Sequence, residues 1–105
     1  MSKIVLSFDA KNDLKDIKKY ISNDLDNDIA ANNTISKITK SIRRLEEQPL
    51  IGTPLSSVIE FDTNYRFLVC GNYMVFYRLE NNTVFVSRII YGRRDYMKIL
   101  FKNEQ

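Results

Sequence analysis

"YRFLVCGNYMVFYRLENNTVFVSRIIYGRRDYMKILF", residues 65–101, is the stretch of this chain that decides the fold. β-Branched and aromatic residues fill it, and two pairs of turn-forming residues, Gly71-Asn72 and Asn81-Asn82, divide it into three runs. Two-residue turns join antiparallel neighbours. The stretch therefore predicts a three-strand meander over residues 65–70, 73–80 and 83–91.

Counting outward from the two turns assigns the side chains of the meander to two faces. One face is expected to carry Arg66, Leu68, Tyr73, Val75, Tyr77, Val86, Arg88 and Ile90. The other is expected to carry Tyr65, Phe67, Met74, Phe76, Arg78, Phe85, Ser87, Ile89 and Tyr91. Both sets are largely apolar, so both faces need cover. A pair of helices can cover one face, and the preceding loop, a last helix or a partner chain can cover the other.

Upstream of the meander the sequence predicts one strand and two helices. Lys3–Phe8 is a short β-branched and aromatic run, and Asp9 after it can cap a helix. Apolar residues at helical spacing predict helices over residues 10–24 and 29–47, and the short polar turn between them favours an antiparallel hairpin. Two prolines and a glycine then open an apolar loop over residues 49–64, which we expect to lie over the body of the protein.

The length of the chain limits it to one domain, because 105 residues cannot build a second core. We take residues 1–105 as that domain. The predicted fold class is α+β: an antiparallel sheet with an N-terminal strand, an α-helical hairpin, a three-strand meander and a short C-terminal helix from Arg93 to Lys102.

Composition excludes several classes of site. The chain has no histidine, which removes the commonest general base and the usual zinc sites, and we expect neither a metal nor a cofactor. Its one cysteine, Cys70, lies in an apolar strand and is expected to be a buried, inert thiol. The N-terminus has no stretch of signal-peptide length and no run is long enough to span a membrane, so we expect a cytoplasmic protein.

Positive charge concentrates in the C-terminal half, although the whole chain carries only +3. Between residues 63 and 102 the acids are Glu80 and Asp95, and the basic residues are Arg66, Arg78, Arg88, Arg93, Arg94, Lys98 and Lys102. Arg93 and Arg94 stand where the sheet is expected to end and the last helix to begin, a position that favours an anion. The alternative is an exposed charged corner in which Asp95 pairs with one of them. Arg66 and Arg88 are expected to share a face, which favours the anion site.

The same stretch resembles the C-terminal half of the RelE/ParE superfamily of toxins from type II toxin–antitoxin systems. The shared features are Tyr-Arg before a turn, a Gly-x-Tyr-x-Val-x-Tyr strand and a final strand that ends in Gly-Arg-Arg-Asp. Recognisable motif covers residues 65–101, and the order of elements fits over the whole chain. The resemblance implies a small α+β toxin that a cognate antitoxin holds inactive by wrapping it, which would also supply cover for the sheet.

The superfamily contains two kinds of toxin, and the residues separate them in part. The ribosome-dependent mRNA endonucleases use basic residues and a tyrosine, which by this resemblance would be Arg66, Arg94 and Tyr96. Their pattern has an arginine where this chain has Met74, and a methionine cannot neutralise a phosphate. The ParE-like members, which poison DNA gyrase by binding it, have an apolar residue there. We therefore favour a gyrase poison, with the endonuclease and a non-toxic interaction module as alternatives.

The resemblance also implies partners and a binding surface. The partners that it implies are a cognate antitoxin, in a hetero-oligomer with this chain, and either DNA gyrase or the ribosome with its mRNA. The residues predicted to bind an anion or the target are Arg78, Arg88, Arg93, Arg94, Tyr91 and Lys98. Whether the chain is an enzyme stays open at this point.

Overall fold

A computed structural model describes residues 1–101 of the chain. The strands are β1 (Lys3–Leu6), β2 (Thr53–Pro54), β3 (Tyr65–Cys70), β4 (Tyr73–Glu80) and β5 (Thr83–Tyr91). The helices are α1 (Phe8–Lys19), a π-helical turn (Tyr20–Asp24), α2 (Asp28–Arg44), a 3₁₀ turn (Leu55–Ser57) and α3 (Tyr96–Phe101). They form one five-stranded sheet in the order β1-β5-β4-β3-β2.

The predicted α+β fold is confirmed, with one correction to the sheet. The three meander strands have the predicted bounds, and their neighbours are antiparallel. β1, however, runs parallel to β5, with Lys3 opposite Thr83 and Leu6 opposite Val86. The sheet is therefore mixed, because α1 and α2 carry the chain back across one face before β5 is added beside β1.

The ends of the helices differ from the predicted ones. Ser7, not Asp9, caps α1: its Oγ accepts a hydrogen bond from the Ala10 amide at 2.9 Å. The first strand therefore stops at Leu6, and the predicted helix over residues 10–24 becomes α1 followed by the π-helical turn. α2 begins after Asn27, whose side chain accepts from the Ala30 amide, and ends at Arg44, three residues before the predicted end.

The two segments that flank the meander also need correction. The predicted loop over residues 49–64 contains β2, which the sequence did not indicate, and the 3₁₀ turn. The last helix begins at Tyr96, so Arg93 and Arg94 lie in the turn before it. Its predicted end at Lys102 lies outside the described residues.

A β-bulge changes the predicted faces of β5. Tyr77 pairs with Val86 and Phe76 pairs with Arg88, so Ser87 is an extra residue without a partner on β4. Beyond the bulge every side chain of β5 is shifted by one position. Ile89 consequently lies on the face assigned to Ile90, and Ile90 on the other.

Each face of the sheet has its own hydrophobic core. The hairpin of α1 and α2 covers the first face, where Ile38, Leu45, Val75 and Tyr77 are fully buried. The second core is built around Phe76, with Leu55 and Ile90, and α3 packs against it. The second cover is thus supplied by the loop and α3, two of the three sources that the sequence left open. Cys70 is half-buried rather than buried, and accepts a 3.5 Å hydrogen bond from Ser41 of α2.

Candidate functional site

The two adjacent arginines lie in an exposed turn between β5 and α3. The Gly92 amide donates to the Asn72 carbonyl at 2.7 Å, and the Arg94 amide donates to the Tyr91 carbonyl at 2.9 Å, so the backbone of the turn is tied to the end of the sheet. The Asp95 carboxylate accepts from the Lys98 amide at 3.3 Å. Within residues 1–101 Asp95 pairs with neither arginine, which is contrary to the alternative of a local ion pair.

Beside this turn lies a groove of about 690 Å³ between the helical hairpin and the sheet. We call it the hairpin groove. It is lined by Asp13, Asp16, Ile17, Tyr20, Ile21, Leu25, Ala30, Thr34, Asn72, Tyr73, Arg88, Ile89, Ile90, Tyr91 and Arg94. Arg94 therefore borders the groove, whereas Arg93 borders a smaller hollow with Val69 and Met74.

Three tyrosines stand around the groove. Tyr73 and Tyr91 meet edge to face, with ring centroids 5.7 Å apart. Burial raises the pKa of Tyr73, and the neighbouring hydroxyls of Tyr91 and Tyr20 raise this pKa further. Tyr73 is therefore a neutral hydrogen-bonding group at neutral pH, while Tyr20 and Tyr91 remain substantially exposed at the rim.

Arg88 also lines the groove, but an acid on α1 already engages its guanidinium. Its Nε and Nη2 donate to the two carboxylate oxygens of Asp13 at 2.8 Å each, and Asp13 Oδ2 accepts a third bond from the Ile89 amide at 2.9 Å. The hydrogen bond with Asp13 raises the pKa of Arg88, more than burial lowers it. This contact joins α1 to the bulge of β5, so Arg88 is not a free anion-binding group.

Arg66 lies in a different place and holds the loop that precedes β2. Its Nη2 donates to the Leu50 carbonyl at 3.2 Å. The adjacent Tyr77 hydroxyl donates to the Pro49 carbonyl and accepts from the Gly52 amide, both at 2.9 Å. A side chain at Gly52 would collide with that hydroxyl. Burial raises the pKa of Tyr77, although the Gly52 hydrogen bond and Arg66 oppose the increase.

The remaining predicted residues lie on or near the second face. Arg78 pairs with Glu80 at 3.4 Å, and its guanidinium lies 5.8 Å from the Phe85 ring centroid. Tyr96 packs against Phe76, with centroids 5.2 Å apart, and Lys98 is exposed on α3. The predicted convergence of Arg66 and Arg88 is not found, because each guanidinium has its own partner on a different element.

Sequence reasoning missed the α1 side of the groove. Asp13 lies three residues after Ala10 and four before Ile17, so this acid interrupts the apolar stripe of the helix. An acid at that position, together with an arginine inside an apolar strand, is the signal that indicates a buried pair. Tyr20 and Leu25 gave no such signal, since their exposure depends on the π-helical turn.

Residues 1–101 contain neither a metal-binding cluster nor a helix suited to a membrane. No group of three histidine, cysteine or acidic side chains there is arranged to hold a metal ion. None of the helices in that range is long and apolar enough to cross a membrane.

Comparisons with known proteins agree on a family and a fold. The profile of the family described as "ParE toxin of type II toxin-antitoxin system, parDE" matches residues 4–96. A solved structure described as "Chromosomal ParDE TA system from P. aeruginosa" contains a chain that superposes with a TM-score of 0.72 at 18% identity, over 87% of this chain and 96% of that chain. A search of curated protein sequences gave no match.

Proposed function

Since this chain belongs to the ParE toxin family of type II toxin–antitoxin systems, we propose that it arrests growth by poisoning DNA gyrase. As a member of that family it is the toxin of a toxin–antitoxin pair, and its protein partner is a cognate antitoxin. Gyrase is the target because ParE-like toxins act on it by binding. A gyrase poison must act in the cytoplasm, because gyrase works there on the chromosome.

One observation favours gyrase over mRNA: the three side chains that an endonuclease would need each have different neighbours. Arg66 is bonded to the Leu50 carbonyl, and Arg94 borders the hairpin groove. Tyr96 packs against Phe76 in the second core. A general acid or base must reach the same substrate atoms as the groups that stabilise charge, which this arrangement does not favour.

The surroundings of Met74 also favour gyrase over mRNA as the target. It is half-buried beside the second core, and a Cβ placed on Gly92 would lie 3.8 Å from its Cγ. An apolar side chain packed at this position supplies no charge to a phosphate. The surface near the arginine turn is therefore better suited to contact with a protein than to cleavage of RNA.

The direct test uses purified proteins. The chain is incubated with gyrase, ATP and supercoiled plasmid, and the DNA is then released with detergent and protease. A gyrase poison traps the cleaved complex, so we expect linear plasmid to accumulate with toxin concentration. Reactions with topoisomerase I in place of gyrase are the control and should show no linear DNA.

A second experiment in cells decides between the alternatives. After induction from a tight promoter, new 5′ ends are mapped in total RNA within minutes. Growth arrest with intact transcripts and a DNA-damage response supports the proposal. Cuts confined to translated codons would replace it with the endonuclease, and unimpaired growth would leave only an interaction module.

A further inference from the structure

We infer that the outer edge of β1 is an interface between two copies of this chain, in which the two β1 strands pair antiparallel about a two-fold axis at Val5. β1 is the last strand at one end of the five-stranded sheet, and β2 is the last strand at the other. The inference goes beyond the proposed function, because it holds whether or not gyrase is the target.

The backbone of β1 has two residues whose polar groups point away from the sheet. The Ser7 amide donates to the Val86 carbonyl of β5 at 2.9 Å, so alternate residues counted back from Ser7 also face β5. The N–H and C=O groups of Ile4 and Leu6 therefore point to the other side. Residues 1–101 provide no strand there, which leaves these groups available to another chain.

These outward groups are complementary to a second copy of themselves in one register. With Val5 of both copies on the axis, Ile4 of one strand is opposite Leu6 of its partner, and each such pair exchanges both of its backbone hydrogen bonds. The two Val5 side chains then face each other in a pair without hydrogen bonds, the closer of the two kinds of antiparallel pair. A slip by one residue would lose these bonds, because an outward residue would meet one that faces β5.

Apolar side chains along the same edge have little cover from the described chain. Val5 is 37% exposed, and Met1 and Phe8, on either side of β1, are 86% and 76% exposed. Antiparallel pairing brings the Met1 end of one strand to the Phe8 end of the other. The three apolar side chains would therefore be removed from water at one interface, which favours association.

The face of the sheet under the helices offers a second apolar contact at this edge. A hollow of about 280 Å³ lies between β1 and α2, lined by Ile4, Leu6, Thr39, Ile42, Arg43 and Glu46. Side chains that are opposite each other in a strand pair lie on the same face. A partner strand beside β1 would therefore place its own Ile4 and Leu6 against this hollow, so the pairing buries apolar surface on both faces of the sheet.

Charge favours a second copy over an unrelated strand. Lys3 is opposite Ser7 of the partner in this register, so its long side chain can reach the partner's Asp9. Lys3 and Asp9 are both exposed, and neither forms an ion pair within residues 1–101. Lysine alone is a usual means by which a sheet edge repels other strands. An edge that carries both signs is instead complementary to its own copy.

Sedimentation of the purified toxin, without a tag at its N-terminus, tests the pairing. The interface is short, so we expect a weak dimer with a dissociation constant of roughly 10–100 μM. Val5→Lys puts two like charges opposite each other on the axis and should raise this constant about tenfold or more. Val69→Lys makes the same change on β3, at a valine that is 68% exposed, and should leave the constant within about twofold. Circular dichroism verifies that both variants are folded.

A cross-link tests the register. In a chain that carries Cys70→Ser, Val5→Cys places the only thiol on the axis, where Cα atoms about 4.5 Å apart are within the range that a disulfide spans. With oxidised glutathione as the oxidant, we expect a disulfide-linked dimer on a non-reducing gel. Val69→Cys in the same chain is the control and should remain without such a dimer. Exchanging the charges with Lys3→Glu and Asp9→Lys should weaken the dimer singly and restore it together.

Three results would overturn the inference. The wild-type toxin could stay monomeric far above the expected dissociation constant, or it could form a dimer that Val5→Lys does not weaken. In the third case a monomeric toxin would lose affinity for its purified antitoxin on Val5→Lys, and the edge would then receive a strand of the antitoxin. None of these measurements uses gyrase, so failure of the proposed function in the trapping assay is distinguished from failure of this inference.

Discussion

The two faces of the sheet are covered in different ways. The cover of the first face buries more side chains, so we expect it to contribute more to stability than the cover of the second. The first face lies under helices of 12 and 17 residues, whose contacts include several fully buried side chains. The second face lies under a loop, a 3₁₀ turn in which Leu55 is buried, and the six residues of α3, none of which is fully buried. The hairpin groove lies on the first face, beside the two long helices. The hollow beside Arg93 is lined by Met74, which packs against the second core.

The largest effect should come from the first core. Ile38→Ala removes a fully buried side chain between α2 and the sheet, and the cavity should lower the free energy of unfolding by about 3–4 kcal/mol. Ile29→Ala is the control, because that isoleucine lies on the same helix but is 76% exposed, and it should cost less than about 0.5 kcal/mol. Urea unfolding of both variants measures the difference, and equal losses would mean that α2 does not hold the core.

The ion pair under the hairpin should have the next largest effect. Asp13→Ala leaves the Arg88 guanidinium, whose side chain is 23% exposed, without its partner, and we expect a loss of about 2–3 kcal/mol. Asp16→Ala removes an acid from the next turn of α1 that makes no ion pair in the described chain, and should change stability by less than about 0.5 kcal/mol. A similar cost for both would show that the contact between α1 and the bulge is not maintained.

Features that depend on local interactions could be predicted from the sequence, and features that depend on long-range contacts could not. The meander strands were correct to the residue because their turns depend on neighbours alone: Gly71, Asn81 and Asn82 have φ of 58°, 48° and 66°. The bulge at Ser87 could not be predicted, since nothing in its neighbourhood marks an extra residue. Asp13 and Arg88, 75 residues apart, meet only through the tertiary fold.

The candidate site was less predictable than the fold for the same reason. The position of Arg93 and Arg94 between the sheet and the last helix was predicted. That Arg94 borders the hairpin groove depends on the hairpin, the bulge and the π-helical turn together. β2 was missed because it has only two residues, one of them a proline, and its pairing with Phe67 and Arg66 is long-range. The roles predicted for the individual arginines and tyrosines remain predictions.

The second face should respond more weakly to loss of an aromatic side chain. Phe101 meets the rings of Phe61 and Tyr65 edge to face, at 5.0 and 5.7 Å between centroids, but it is only partly buried. Phe101→Ala should therefore lower the free energy of unfolding by about 1–2 kcal/mol. Phe8→Ala, at a phenylalanine that is 76% exposed, is the control and should be close to neutral. A loss as large as that of Ile38→Ala would remove the contrast between the two covers.

The smallest effect is a loss of stability at alkaline pH. It distinguishes Tyr73, which lines the hairpin groove, from Tyr77, which lies in the first core. Burial raises the pKa of Tyr73 and of Tyr77 in the folded state, so each favours folding most below the unfolded tyrosine pKa of about 10. Above that pH the unfolded chain loses these protons first, and stability falls as the pH rises toward the folded values. Tyr73→Phe should reduce this alkaline loss and leave the urea midpoint at pH 8 nearly unchanged.

Tyr77→Phe should behave differently, because its hydroxyl also bonds the Pro49 carbonyl and the Gly52 amide. Without that hydroxyl the buried Gly52 amide and the partly buried Pro49 carbonyl lose a partner. The urea midpoint should therefore already fall at pH 8, by the equivalent of about 1–2 kcal/mol. Urea midpoints at pH 8 and pH 10.5 for both variants distinguish the two tyrosines. If Tyr73→Phe lowered the midpoint at pH 8 as much as Tyr77→Phe, Tyr73 would have a structural hydroxyl, and the hairpin groove would be less open to a partner than its exposed rim indicates.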